Sequence, residues 1–211
     1  MTRLYRTWDP DVWSALRDAS SPAVWAAQRT RLTAGGSITM SLAGADLTGA
    51  QLTGYDLADM SLTGARLTGA VLVGARLAGA DLSRCDLVGA DLTDAVLTDA
   101  ELFGADMRSA VLTDAVLTGA RANRVDATGA RWVRVDGRSM RLVGATLRMA
   151  DLAGAVLEGA NLEGANLAGA DLTGARLGAA WMVGADLTGA ILAGADMTGA
   201  VLVRRNLRRE G

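Results

Sequence analysis

The chain has no histidine and no lysine, one cysteine, two prolines and one phenylalanine among its 211 residues. Each shortage removes a class of chemistry. With no histidine and only Cys85, neither a zinc or redox-metal site nor a cofactor is expected. A lone cysteine cannot close an internal disulfide, and Cys85 stands where alanine usually stands, so it reads as core packing. Long apolar runs are missing too: the longest uncharged stretch, Leu32 to Ala45, falls short of the roughly 18 to 20 apolar residues that span a membrane. Behind Arg3, Arg6, Asp9 and Asp11 lies no apolar segment, so a cytoplasmic protein without a secretory leader is expected.

What the chain has instead is a period. Every fifth residue from Leu42 to Leu207 forms one series of 34 positions, of which 27 are Leu; the exceptions are Met107, Ala122, Ala127, Trp132, Gly137, Met182 and Met197. Two residues before each centre a second series runs from Met40 to Arg205 and is mostly Ala, while Gly dominates two residues after. A period of five suits neither an α-helix at 3.6 nor a strand at 2. It suits a solenoid in which the large apolar residue and the Ala point inward, the residues between them face water, and Gly turns the corner.

The units ADLTG (45–49 and 185–189) and ANLAG (165–169) resemble the A-(D/N)-L-x-x motif of the pentapeptide-repeat family, and the resemblance runs from residue 40 to 207. It implies an all-β solenoid, a right-handed quadrilateral β-helix with four pentapeptides per coil. About eight coils at the usual strand spacing make a rod of roughly 40 Å. Residues 1–36 follow other rules. Asp9 with Pro10, and Ser21 with Pro22, are N-cap and first-turn pairs that predict two short helices carrying Trp8, Trp13 and Trp25. The expected organisation is therefore a helical N-terminal cap at 1–36, a β-helix at 37–207 and a charged tail at 208–211.

Centres 122, 127, 132 and 137 are the four sides of one coil that has lost its leucines. Trp132, Val125 and Val135 return the side-chain atoms that two Ala and one Gly give up, which favours a repacked interior over a pocket. Outside, charge is banded: net −6 over residues 81–115, +5 over 121–148 and −5 over 149–200. Residues twenty apart stack on adjacent coils, so Arg121 is expected beside Glu101, Arg131 beside Asp151, Arg134 beside Asp114 and Arg138 beside Glu158. Arg124 and Arg141 have no such neighbour, and Arg141 stacks on Arg121. With Trp132 nearby, Arg121, Arg124 and Arg141 are candidates for binding a small anion. Asp86, Asp106 and Asp126 form an acidic ladder, and Asp91, Asp94, Asp99 and Asp114 line the next sides.

Three functions follow. Family members that protect DNA gyrase from toxins or quinolones look like duplex DNA, so the resemblance implies a non-catalytic binding protein with a local, DNA-mimicking acidic face. The rival readings are an anion binder or unusual enzyme, with Asp126, Asp136 or Tyr55 as acid–base groups, and a structural scaffold. Direct nucleic-acid binding is not expected. A homodimer contact is expected at Trp181, Val183, Val201 and Val203, on one face of the last coils.

Overall fold

The computed structural model describes residues 41–203, together with Ser14, Leu16, residues 21–24 and residues 26–27. From Ser41↔Ser61 to Trp181↔Val201, parallel bridges join residues twenty apart, so each coil is four pentapeptides and each outward residue sits directly over its counterpart. Four faces result, beginning at Ser41, Asp46, Gln51 and Asp56.

One unit, Ala165 to Gly169, shows why this sequence closes the coil. Ala165 N–H donates to Leu162 O at 3.0 Å and makes the corner turn; Asn166 N–H reaches Ala145 O on one neighbouring coil at 2.8 Å. Leu167 and Gly169 N–H donate to Asp186 O and Thr188 O on the other, at 2.8 and 2.9 Å. The fifth N–H, of Ala168, is left facing outward, and Asn166 Oδ1 accepts it at 3.0 Å. All five donors are thus satisfied, as a buried or half-buried backbone requires. The Asp or Asn before each centre is consequently a backbone partner first and a surface charge second.

Corners obey one rule. At every fifth residue from Gly44 to Gly199 φ lies between +53 and +72°, whatever the side chain. The i→i+3 bond across each corner, with positive φ only at the second central residue, is the geometry of a type II turn.

Inside, the core is a continuous column of Leu and Ala with no buried polar or charged residue among those described. A buried Leu contributes about 1.5–3 kcal/mol. Tyr55, Met60 and Cys85 occupy Ala positions and are buried as well. The Cys85 thiol donates to Leu62 O at 2.9 Å. Burial pushes that thiol up to about 12, which leaves it unreactive at neutral pH.

Of the N-terminal segment, Ser14, Leu16, residues 22–24 and residues 26–27 are helical. Ser21 Oγ accepts the N–H of Val24 at 3.3 Å, the capping bond expected of it. Leu16 is buried with the core cluster. Asp9, Pro10, Trp8, Trp13, Trp25 and the tail at 208–211 lie outside the described residues. At the other end Leu192 and Leu202, inward by register, are exposed. No described helix is long and apolar enough to cross a membrane.

Candidate functional site

The acidic ladder stands in register: Asp86, Asp106 and Asp126 are bridged in succession on the second face. Each carboxylate also does the backbone work described above, accepting from Val88, Arg108 and Thr128 N–H at 3.2, 3.2 and 3.0 Å. Arg108 adds a two-pronged clasp on Asp106, at 2.8 and 2.6 Å. That hydrogen-bonded clasp holds the Asp106 carboxyl below its ordinary range. One of three ladder charges is therefore neutralised from within the chain.

The corner acids differ. Asp94, Asp99 and Asp114 lie at φ of 57, 55 and 60°, where the repeat otherwise places Gly. No backbone donor needs them there. Arg134 grips Asp114 through two bonds of 2.7 and 2.5 Å, which depresses its carboxyl. Asp94 and Asp99 have no ion-pair partner among the described residues. Asp91, on the third face, accepts from Thr93 N–H and Oγ1.

Of the four stacked ion pairs, three form: Arg121 with Glu101, Arg134 with Asp114, and Arg138 with Glu158 at 3.6 Å. Arg138 also reaches Asp136 at 3.0 Å, and Arg176 takes Glu158 at 2.6 Å. Arg131 and Asp151 are bridged through their backbones, yet their side chains make no ion pair.

Among the anion candidates, Arg121 and Arg141 are backbone neighbours on the first face. Arg124 is taken up by an aromatic partner that the stacking rule missed, its guanidinium lying 5.9 Å from the Phe103 ring centre. The signal was present: Phe103 is the chain's single phenylalanine, and it stands twenty-one residues before Arg124 rather than twenty. Arg141 alone of the three has no partner among the described residues. Below it, Asn123 Oδ1 accepts Val143 N–H at 3.0 Å, because Arg141 cannot do what Asp does at that position.

Trp132 does not join these arginines. It is 0% exposed, inside the third side of the coil. Its Nε1 is buried without a hydrogen-bond partner. Beside it the Gly137 space is already taken: a Cβ there would stand 2.9 Å from Leu157 Cδ2 and 3.4 Å from Met140 Sδ. Met140, an oversized residue at an Ala position, is the filler that volume counting over Trp132, Val125 and Val135 overlooked. The acid–base candidates are separated too. Asp126 is on the second face and Asp136 on the fourth, opposite sides of one coil, while Tyr55 is buried several coils away.

Trp181 and Val201 are bridged on the first face, and Val203 O accepts Gly184 N–H beside Val183. Trp181 and Val203 are 46% and 57% exposed. No group of three or more metal-ligating residues occurs among the described residues.

The pentapeptide-repeat model matches residues 41–77, 61–99, 95–131, 141–178 and 180–209. The chain belongs to the pentapeptide-repeat family. No curated protein sequence matches it. Among solved structures, QnrB1, described as a plasmid-mediated fluoroquinolone resistance protein, is 20% identical, with 77% of this chain and 89% of QnrB1 covered at a TM-score of 0.50. HetL, a pentapeptide repeat protein involved in heterocyst differentiation regulation from the cyanobacterium Nostoc sp. strain PCC 7120, is 32% identical over 83% of this chain and 96% of its own, at a TM-score of 0.28. Together with the register, the family makes this pentapeptide-repeat protein a right-handed β-helix solenoid.

Proposed function

We propose that this pentapeptide-repeat protein is a non-catalytic binding protein whose acidic band at residues 81–115 engages the DNA-binding groove of a topoisomerase such as gyrase. The corner acids carry the reading. An Asp at the outward position follows from the repeat, but Asp94 and Asp99 hold a left-handed backbone that favours Gly, and neither forms an ion pair among the described residues, Asp94 acting only at longer range on Arg134. Asp94 follows Asp91 at the corner of the third and fourth faces and Asp99 precedes Glu101 at the corner of the fourth and first, so both add to the negative potential around one coil of the band. Duplex DNA carries one charge per about 1.7 Å, so mimicry confined to this band is partial. QnrB1's description as a resistance protein agrees with the reading without deciding it.

Restoring glycine tests it cleanly, because Asp94→Gly with Asp99→Gly returns the corners to the residue they favour. Surface-immobilised gyrase should bind the wild type in low salt and bind the double variant at least tenfold more weakly, while the melting temperature holds or rises. Equal binding by both proteins would remove the acidic band from the function.

A further inference from the structure

The first face carries charge in a particular order. Asp81, Glu101, Arg121 and Arg141 follow one another on four consecutive coils, locked in register by the bridges Asp81↔Glu101, Glu101↔Arg121 and Arg121↔Arg141. Two acids are followed by two bases, so the column is its own complement when reversed. We propose that two copies of this chain associate antiparallel through this face. The two-fold axis would lie in the face, across the rod, between the coils of Glu101 and Arg121.

A two-fold makes every contact occur twice, so a self-complementary column is what such an interface needs. Glu101 of each copy meets Arg121 of the other, and Asp81 meets Arg141. The Glu101–Arg121 pair within each chain then becomes a square of four alternating charges. Arg141, unpaired among the described residues, gains Asp81 of the second copy.

Shape agrees with charge. The operation preserves position across the face, so corner meets corner. Arg124 falls over Gly104 of the second copy and Arg84 over Gly144, a side chain against a glycine each time. A Cβ on Gly104 would have no atom within 4 Å, so that notch is open, while one on Gly144 would meet Arg124 Cγ of its own chain at 3.8 Å, an ordinary contact. The same axis on the second face would set Asp106 against Asp126, and on the third it would set Asp91 against Asp151, like against like.

Size sets the strength. Six coils at about 4.8 Å by one side roughly 10 Å wide is about 300 Å² of face, well under the ~800 Å² per partner of a stable complex. The association is therefore weak, charge-driven and sensitive to salt.

Sedimentation velocity of the full chain at about 200 µM should show dimer in ~25 mM salt and monomer in ~500 mM, where the Debye length is only a few ångströms. Arg141→Asp sets like charges face to face and should weaken the dimer at least tenfold. That variant should fold, since Asp is what the repeat favours at this position. Asp81→Arg should fail alike, with circular dichroism confirming its fold, yet an equimolar mixture of the two variants should dimerise because every contact again pairs opposites. A wild type that stays monomeric in low salt, or a mixture that does not recover, overturns the proposal. So does a dimer that ignores both substitutions and is lost instead on Trp181→Glu.

Discussion

Two stretches of the same rod are built to the same register but finished differently. Between residues 84 and 149 nine of fourteen corner positions carry a side chain; among the other described corners only Asp59 and Ala179 do. Corners with a side chain lie at φ of 53–60° and glycine corners at 61–72°, so both kinds are left-handed, and the middle of the rod holds Arg84, Arg124, Arg134 and Met149 in a conformation that disfavours them by roughly 1–2 kcal/mol each. The ends show what the fold itself asks for, which is glycine. The middle shows what has been added to it, and the added groups are mostly charged.

The comparison extends inward and can be broken there with the largest effect. Leu97→Ala in a regular coil should lose about 2–5 kcal/mol, read as a fall in urea midpoint. Gly137→Leu, which restores the repeat's own residue to the atypical coil, should also destabilise, by about 1–3 kcal/mol, because Leu157 and Met140 already fill the space. A gain in stability from Gly137→Leu would mean that the coil is under-filled.

Acid should strip the outward aspartates of their backbone role next. Hydrogen bonds from Thr173, Thr188 and Thr198 hold Asp171, Asp186 and Asp196 below the ordinary carboxylate range. Partial burial opposes the same effect at Asp81, but bonds from Ser83 and Thr63 outweigh it. A depressed carboxyl contributes stability that is complete above the unfolded value near 3.9 and is lost as pH falls towards the folded one. With no histidine in the chain, melting temperature should stay nearly flat from about pH 8 to 5 and drop below about pH 4. A transition centred near pH 6 would contradict this account.

Smaller effects sharpen the corner comparison. Met149, 67% exposed at φ +53°, should melt higher as Met149→Gly, by up to about 1 kcal/mol, whereas Gly69→Met in a regular corner should lose a similar amount. Least of all should change on Trp132→Phe. The lost ring atoms are offset by removing an indole N–H that has no acceptor, a burden of about 1–3 kcal/mol, so the net shift should stay within about 1 kcal/mol. A loss of 3 kcal/mol or more would show that Nε1 is hydrogen-bonded after all.

Register and inward pattern were legible in the sequence because one rule, a residue type every five positions, repeats without a slip. Three of four stacked ion pairs were legible for the same reason. What escaped were contacts that step off the column. Arg124 reaches Phe103 at an offset of twenty-one, Arg176 reaches Glu158 at eighteen and Arg138 reaches Asp136 on its own coil, while Arg131 keeps to the column but makes no ion pair with Asp151. The meaning of the aspartates was hidden too, since a charge ladder and a row of backbone acceptors have the same spelling. Only the N–H of the residue two positions on distinguishes them.

The twenty-residue register has a consequence for how such a chain can change length. Removing one whole coil leaves every surviving column continuous and merely shortens the rod. Removing a single pentapeptide leaves the interior equally content, but it turns everything downstream by a quarter revolution. Arg121 would then follow Val96 rather than Glu101, and each face would be spliced to its neighbour. Packing is thus blind to an error of five residues, while the surface is sensitive to it. The unbroken phase of these outer columns is the molecule's memory of what each side is for.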